Sequence, residues 1–132
     1  MAETFQCSVV TPEREVLDRT AQFVAFPAHD GQIGILQGRA PLLCRLGIGP
    51  LRVEGTEGDD QILFIDGGFA QMVDNRLTIL TEQAKEPSEL ERAEAEQLLE
   101  AAKAMGTGTD REFVERQKAL DRARGQIRMA GD

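Results

Sequence analysis

The sequence predicts a β + α chain: an N-terminal antiparallel β-sandwich over residues 1–84, then a C-terminal antiparallel two-helix hairpin over 85–132. Three observations carry this. Nine of the 13 glycines and four of the five prolines lie before Ala84, with most of the Val, Ile and Phe. After Pro87 no proline occurs, and Thr107, Thr109, Val114 and Ile127 are the only β-branched residues. Short apolar runs separated by Gly, Asp and Asn occupy the first part, which is the pattern of many short strands. Helical spacing of apolar residues occupies the second.

Taken in order, Phe5, Cys7 and Val9 alternate as a first strand, and a further run spans Phe23 to Phe26. Residues 31 to 43 read Gly-Gln-Ile-Gly-Ile-Leu-Gln-Gly-Arg-Ala-Pro-Leu-Leu. Gly31, Gly34, Gly38 and Pro41 make this strand, tight loop, strand, because Pro41 excludes a helix running through it. Ile62 to Ile65, Phe69 to Val73 and Leu77 to Leu80 follow, punctuated by Glu57-Gly58-Asp59-Asp60, Asp66-Gly67-Gly68 and Asp74-Asn75. Asp74-Asn75 is a two-residue hairpin loop between apolar runs, since Asn tolerates left-handed backbone.

Ser88-Glu89-Leu90-Glu91 predicts a capping box opening a helix over about residues 88–105, with Leu90, Ala93, Leu98, Ala101 and Met105 on one face. Residues 105–110 break it. Thr109 and Glu112 supply a second box, and a helix runs over about 110–129. Phe113, Leu120 and Ile127, seven apart, form its narrow apolar stripe, flanked by Ala119 and Ala123. A hairpin with so little core has to lie on the sandwich or on a partner; permanent packing and easy detachment both fit. Six acids face Arg92 and Lys103 between Glu86 and Met105, a net of −4, whereas residues 111–128 carry six bases and three acids, a net of +3. The basic helix either complements the acidic one or docks on an acidic partner.

Composition sets outer bounds. At 132 residues the chain is one domain's worth, with no run approaching a membrane span and no signal-peptide pattern at the N-terminus. A net charge of −8 argues against non-specific nucleic-acid binding. Cys7 and Cys44, each in an apolar run, point to buried free thiols in a reducing compartment. No catalytic constellation is present: His29, beside Asp30, is the single histidine and has no nearby nucleophile. No residue cluster matches a metal site, and no phosphate-cradling glycine motif occurs.

The stretch from Gly31 to Leu43 resembles the signature loop of the epsilon subunits of F-type ATP synthases, G-x-x-G-I-L-P-G-H-A-P-L. Gln37 stands where that family has Pro and Arg39 where it commonly has His. Val9-Val10-Thr11-Pro12-Glu13 is similar to the family's first strand and turn, and Asp66-Gly67-Gly68-Phe69-Ala70 to its G-G-F-A element. The tail from Ala119 to Arg128 is similar to its last helix. The resemblance covers nearly the whole chain in the right order, and is to the bacterial and chloroplast type, the counterpart of the mitochondrial delta subunit.

That resemblance implies a non-catalytic central-stalk subunit at the cytoplasmic face of the bacterial plasma membrane. It would be attached only through the complex, with the gamma subunit, the c-subunit ring and the alpha/beta head as partners. It implies a c-ring or gamma interface at Asp30, Gln32 and Arg39, and a hinge at Gly106 and Gly108. It also implies an inhibitory contact with a beta subunit through Arg116, Lys118, Arg122, Arg124 and Arg128. Some members bind ATP through [IL]-D-x-x-R-A; here Arg92 and Ala93 match, but Ser88 and Glu89 depart, so any contact through Glu89 and Arg92 is expected to be weak or absent. No cofactor and no metal is expected. A sandwich adaptor for another partner and a nucleotide sensor are the competing readings.

Overall fold

The computed structural model describes residues 4–28, 31–36 and 41–130. They form two compact units, divided between Lys85 and Glu86.

The first unit holds ten strands: β1 (Phe5–Val10), β2 (Glu15–Ala21), β3 (Phe23–Ala28), β4 (Gly31–Leu36), β5 (Leu42–Arg45), β6 (Ile48–Glu54), β7 (Gln61–Asp66), β8 (Phe69–Val73), β9 (Arg76–Leu80) and β10 (Ala84–Lys85). They build two five-stranded sheets, ordered β2-β1-β9-β8-β5 and β10-β7-β6-β3-β4. Pairing is antiparallel except between β1 and β9, which run parallel. Strand alternation places Phe5, Cys7, Val9, Met72, Leu77 and Ile79 of one sheet, and Val24, Phe26, Ile35, Leu51, Leu63 and Ile65 of the other, in a common core. Each such side chain contributes about 1.5–3 kcal/mol by leaving water.

Turn chemistry is placed as the sequence predicts at Asp74 and Asn75, whose φ angles of 50° and 62° make the two-residue loop between β8 and β9. Asn75 also latches β1: its Nδ2 donates to the Thr4 carbonyl at 2.8 Å, and its own carbonyl accepts the Gln6 N–H at 3.1 Å. Arg19 of β2 staples the two sheets, donating to the Asp59 carbonyl at 2.8 Å, to Asp59 Oδ2 at 2.7 Å and to Gln61 Oε1 at 3.2 Å. In β4 a β-carbon at Gly34 would meet the Phe23 ring at 2.8 Å, so this glycine lets the aromatic side chain lie across an edge strand.

The second unit contains a 3₁₀ turn (Pro87–Glu89), α1 (Arg92–Lys103) and α2 (Asp110–Ala130), with the two helices packed on each other. Two expectations change here. The first helix begins at Arg92 rather than near 88, and the capping box lies two residues earlier than expected. The Glu86 carboxylate accepts the Glu89 N–H while Glu89 Oε1 accepts the Glu86 N–H at 3.0 Å. Pro87 presets the first position of that turn, and Leu90 and Glu91 are extended, so the turn cannot continue into α1.

The buried face differs too. Ala95 and Ala102 are buried and Leu99 half-buried, whereas Ala93, Leu98, Ala101 and Met105 are exposed. On α2, Leu120, Ala123, Gly125 and Gln126 are buried, while Phe113 is 56% exposed. Apart from Leu120 and Gln126, small side chains fill the buried positions, and Leu98, Met105, Phe113 and Val114 face out. Thr109 caps α2 as expected, its Oγ1 accepting the Glu112 N–H at 3.1 Å, while the Glu112 carboxylate lies beside Gly106.

Candidate docking surface

Alternation in the first sheet has a second consequence. β8 carries apolar residues on both parities: Ala70 and Met72 point into the core, Phe69 and Val73 out. Across the register, Phe69 sits opposite Leu80 on β9, and Val10 of β1 lies opposite Leu80 on its other side. On the far side of β8, Arg45 pairs with Phe69 and Leu43 with Gln71. Leu43 is 70% exposed, Phe69 50% and Leu80 49%, so this face of the sheet presents Leu80 and Phe69 side by side to solvent, with Leu43 diagonal to Phe69 on β5, beside Gln71 and Arg45. Faces of this kind mark interaction sites.

At the Phe69–Leu80 end the face deepens into an open groove of about 370 Å³, walled by Val10 to Pro12, by Gly68 and Phe69, and by Leu80 to Glu82. Thr81, in the wall of the groove, belongs to a polar joint with Asp66 and Gln83. Thr81 Oγ1 accepts the Asp66 N–H at 3.1 Å and donates to the Gln83 carbonyl at 3.3 Å. Gln83 Nε2 donates to Asp66 Oδ2 at 3.0 Å. Thr81 N–H donates to the Val10 carbonyl at 3.0 Å. Asp66 and Thr81 are buried, 6% and 4% exposed, and satisfied.

The residues singled out from sequence are dispersed. Gln32 is exposed on β4, opposite Pro27 of β3; Asp30 and Arg39 lie outside the described residues, as does His29. Glu89 is occupied in its capping box, and Arg92 Nε donates to Glu96 Oε1 at 3.1 Å. Lys118, Arg124 and Arg128 are exposed, and Arg116 and Arg122 half-buried. They fall into two i,i+4 pairs, Lys118 with Arg122 and Arg124 with Arg128, on different sides of α2, so they do not form one face. Gly106 and Gly108 lie between α1 and α2 and neither takes a positive φ; the bare Cα of Gly106 leaves room for the Glu112 carboxylate. Among the described residues no group of His, Cys, Asp and Glu could hold a metal ion. Among the described residues no helix is long and apolar enough to cross a membrane.

Sequence reasoning missed Leu43, Phe69 and Leu80 as surface residues. The signal was available: a short strand apolar on both parities, as in Phe69–Val73, needs cover on both faces.

The family model described as ATP synthase, Delta/Epsilon chain, beta-sandwich domain matches residues 4–87. The ATP synthase epsilon chain of Rhodopirellula baltica is 43% identical over 125 residues, 95% of this chain and 97% of that one. The chain belongs to the ATP synthase epsilon family. The epsilon chain of a Synechococcus strain is 40% identical over 96% of this chain and 93% of that one, and the chloroplast epsilon chain of Pyropia yezoensis is 36% identical over 96% of each. The epsilon fold is shared with a chain of the Euglena gracilis mitochondrial ATP synthase (OSCP/F1/c-ring), at a TM-score of 0.81 and 22% identity, covering 95% of this chain and 79% of that one. A chain of the Tetrahymena thermophila mitochondrial ATP synthase central stalk and c-ring gives 0.72 and 16%, covering 96% of each.

Proposed function

We propose that this epsilon chain is a rotor subunit of a proton-translocating F-type ATP synthase. It sits in the central stalk at the cytoplasmic face of the bacterial plasma membrane. The observation that carries the reading is the sheet face exposing Leu43, Phe69 and Leu80, which in a family of stalk subunits has the gamma subunit as its occupant. The end of the sandwich bearing Gln32, and with it Asp30 and Arg39 in sequence, faces the c ring. Torque passing from ring to gamma is then carried through a rigid two-sheet body.

Regulation resides in the second unit. Because its helices bury mainly alanine and glycine and expose Leu98, Met105, Phe113 and Val114, the hairpin is held by little apolar area and opens at modest cost. Opened about Gly106 and Gly108, it exposes α2 along its length, and Arg116, Lys118, Arg122, Arg124 and Arg128, spread around the helix, meet acidic segments of a catalytic beta subunit and restrain ATP hydrolysis. ATP binding by the isolated subunit is weak or absent in this reading, since Arg92 is engaged by Glu96 and Glu89 by its own turn.

The deciding experiment is titration of the full chain, and of the variant carrying Phe69→Asp and Leu80→Asp, onto purified gamma. Two buried charges at an apolar contact cost at least about a hundredfold in affinity. Equal binding by the variant would remove the sheet face as the docking surface.

A further inference from the structure

Three segments of chain distant in sequence wall the groove, and one small polar cluster ties all three. Thr81 is its centre. Its N–H fixes the Val10 end of β1, its hydroxyl accepts the Asp66 N–H at the end of β7, and the same hydroxyl donates onward to the Gln83 carbonyl. Gln83 closes the ring through its side chain on the Asp66 carboxylate. The Gly67–Gly68 turn that follows Asp66 is pinned in turn: Gly67 N–H donates to the Gly47 carbonyl at 3.0 Å, and the Gly68 carbonyl accepts the Leu46 N–H at 2.9 Å. Phe69 leaves that turn directly, and Leu80 precedes Thr81 directly. These two exposed apolar anchors therefore each adjoin a residue of this cluster or its turn.

We propose that Asp66, Thr81 and Gln83 are positioning residues for docking, setting the spacing of Phe69 and Leu80 across the groove so that the partner meets a preformed surface. The inference rests on the reading that this face docks gamma, and adds to it a polar element that never touches the partner. A buried cluster with every member satisfied rigidifies what it joins, whereas one with a member removed leaves an unpaired buried donor or acceptor. Preformation matters to binding because ordering an interface at the moment of contact is subtracted from affinity. Arg19 offers the comparison. It too is a polar staple between distant segments, but it acts on Asp59 and Gln61, at the opposite end of β7 from Asp66.

The test uses the full chain titrated onto immobilised gamma, with thermal unfolding measured in parallel. Thr81→Val keeps the shape and removes the hydroxyl; Thr81→Ser restores it. Gln83→Met removes only the donor to Asp66 from a half-buried side chain, and carries the test if Thr81→Val does not fold. Thr81→Val or Gln83→Met is expected to weaken binding by about tenfold or more in protein that is fully folded, and Thr81→Ser to recover binding to within about twofold. Arg19→Ala is expected to lower the unfolding temperature yet bind gamma within about twofold of the parent. Unchanged affinity in Thr81→Val and Gln83→Met overturns the inference, as does an equal loss in Arg19→Ala, which would reduce the cluster to general stability. The Phe69→Asp, Leu80→Asp variant keeps the two readings apart: if it binds normally the docking face itself is wrong, and if it alone loses binding only the positioning role falls.

Discussion

Gly68 lies so close to the Leu80 carbonyl that a β-carbon at position 68 would overlap its oxygen. The backbone there has φ of 103°, so two separate demands meet at one residue. Gly58 isolates one of them, with φ of 76° and nothing within 4 Å of its missing side chain. Gly58→Ala is expected to cost about 1 kcal/mol from backbone strain alone. Gly68→Ala adds the collision with β9 and is expected to cost about 3 kcal/mol or more. Urea denaturation of the two variants measures the difference, and equal costs would show that the β8–β9 approach yields freely.

The Asp74–Asn75 turn makes the opposite prediction. Asp74→Gly is expected to be neutral or slightly stabilising, because glycine takes φ of 50° without penalty, whereas Asp74→Val is expected to cost about 1–2 kcal/mol. The same denaturation measurement serves, and a tolerated valine would mean that the turn relaxes to another type.

Burial pushes the Cys7 thiol up from 9.0 to about 12, with Arg19 opposing and Asp18 reinforcing the shift more weakly. The folded value exceeds the unfolded one, so the contribution to stability is complete below about pH 9 and is lost as pH rises towards about 12. Stability is expected to fall across that window, and Cys7→Ala to flatten the fall while costing stability at neutral pH through the cavity it leaves. Thiol labelling at pH 8 is expected to modify the half-buried Cys44 first and to reach Cys7 only on unfolding. Equal labelling rates would contradict the burial.

For the hairpin, replacing Arg116, Lys118, Arg122, Arg124 and Arg128 together by Ala is expected to raise ATP hydrolysis by the assembled enzyme several-fold, with assembly intact. The parent's restraint is expected to weaken with added salt, since contacts between exposed charges are screened over about 8–10 Å. An ATPase assay across ionic strengths checks both. Unchanged hydrolysis, in this variant and on removal of residues 86–132, would make the hairpin structural.

What was legible in the sequence follows from how local each determinant is. Most strands and the Asp74–Asn75 loop depend on alternation and on two adjacent residues and were readable, but β2 and β6 drew no expectation, β6 because Gly49 and Pro50 interrupt its apolar run. The start of α1 was not: Ser88 with Glu91 and Glu86 with Glu89 are alternative boxes offset by two residues, and the choice fell to Pro87 and to the extended backbone at Leu90. The buried face of α1 was misread because Leu98, Ala101 and Met105, like Ala95, Leu99 and Ala102, recur at three- and four-residue intervals; size favoured the first set and packing chose the second. Phe113 was placed inside for the same reason. The β1–β9 pairing joins residues some 70 apart and leaves no local trace. Leu43, Phe69 and Leu80 were half-legible, as excess apolar residues on a strand already supplied with a core face.

The parallel pairing of β1 with β9 governs the order in which the chain can acquire its structure during synthesis. β1 can meet β2 almost at once, yet its other edge stays open until Arg76–Leu80 has been made and has left the ribosome. The nascent chain therefore carries an unpaired edge through most of its elongation, in a strand whose residues Phe5, Cys7 and Val9 are destined for the core. Stalled chains ending before β9 should be protease-sensitive and bound by chaperones, and those long enough for β9 to have cleared the exit tunnel should be compact. Force profiling of stalled chains reads that threshold directly; an early release of tension, before β9 emerges, would mean that the first sheet closes by another route.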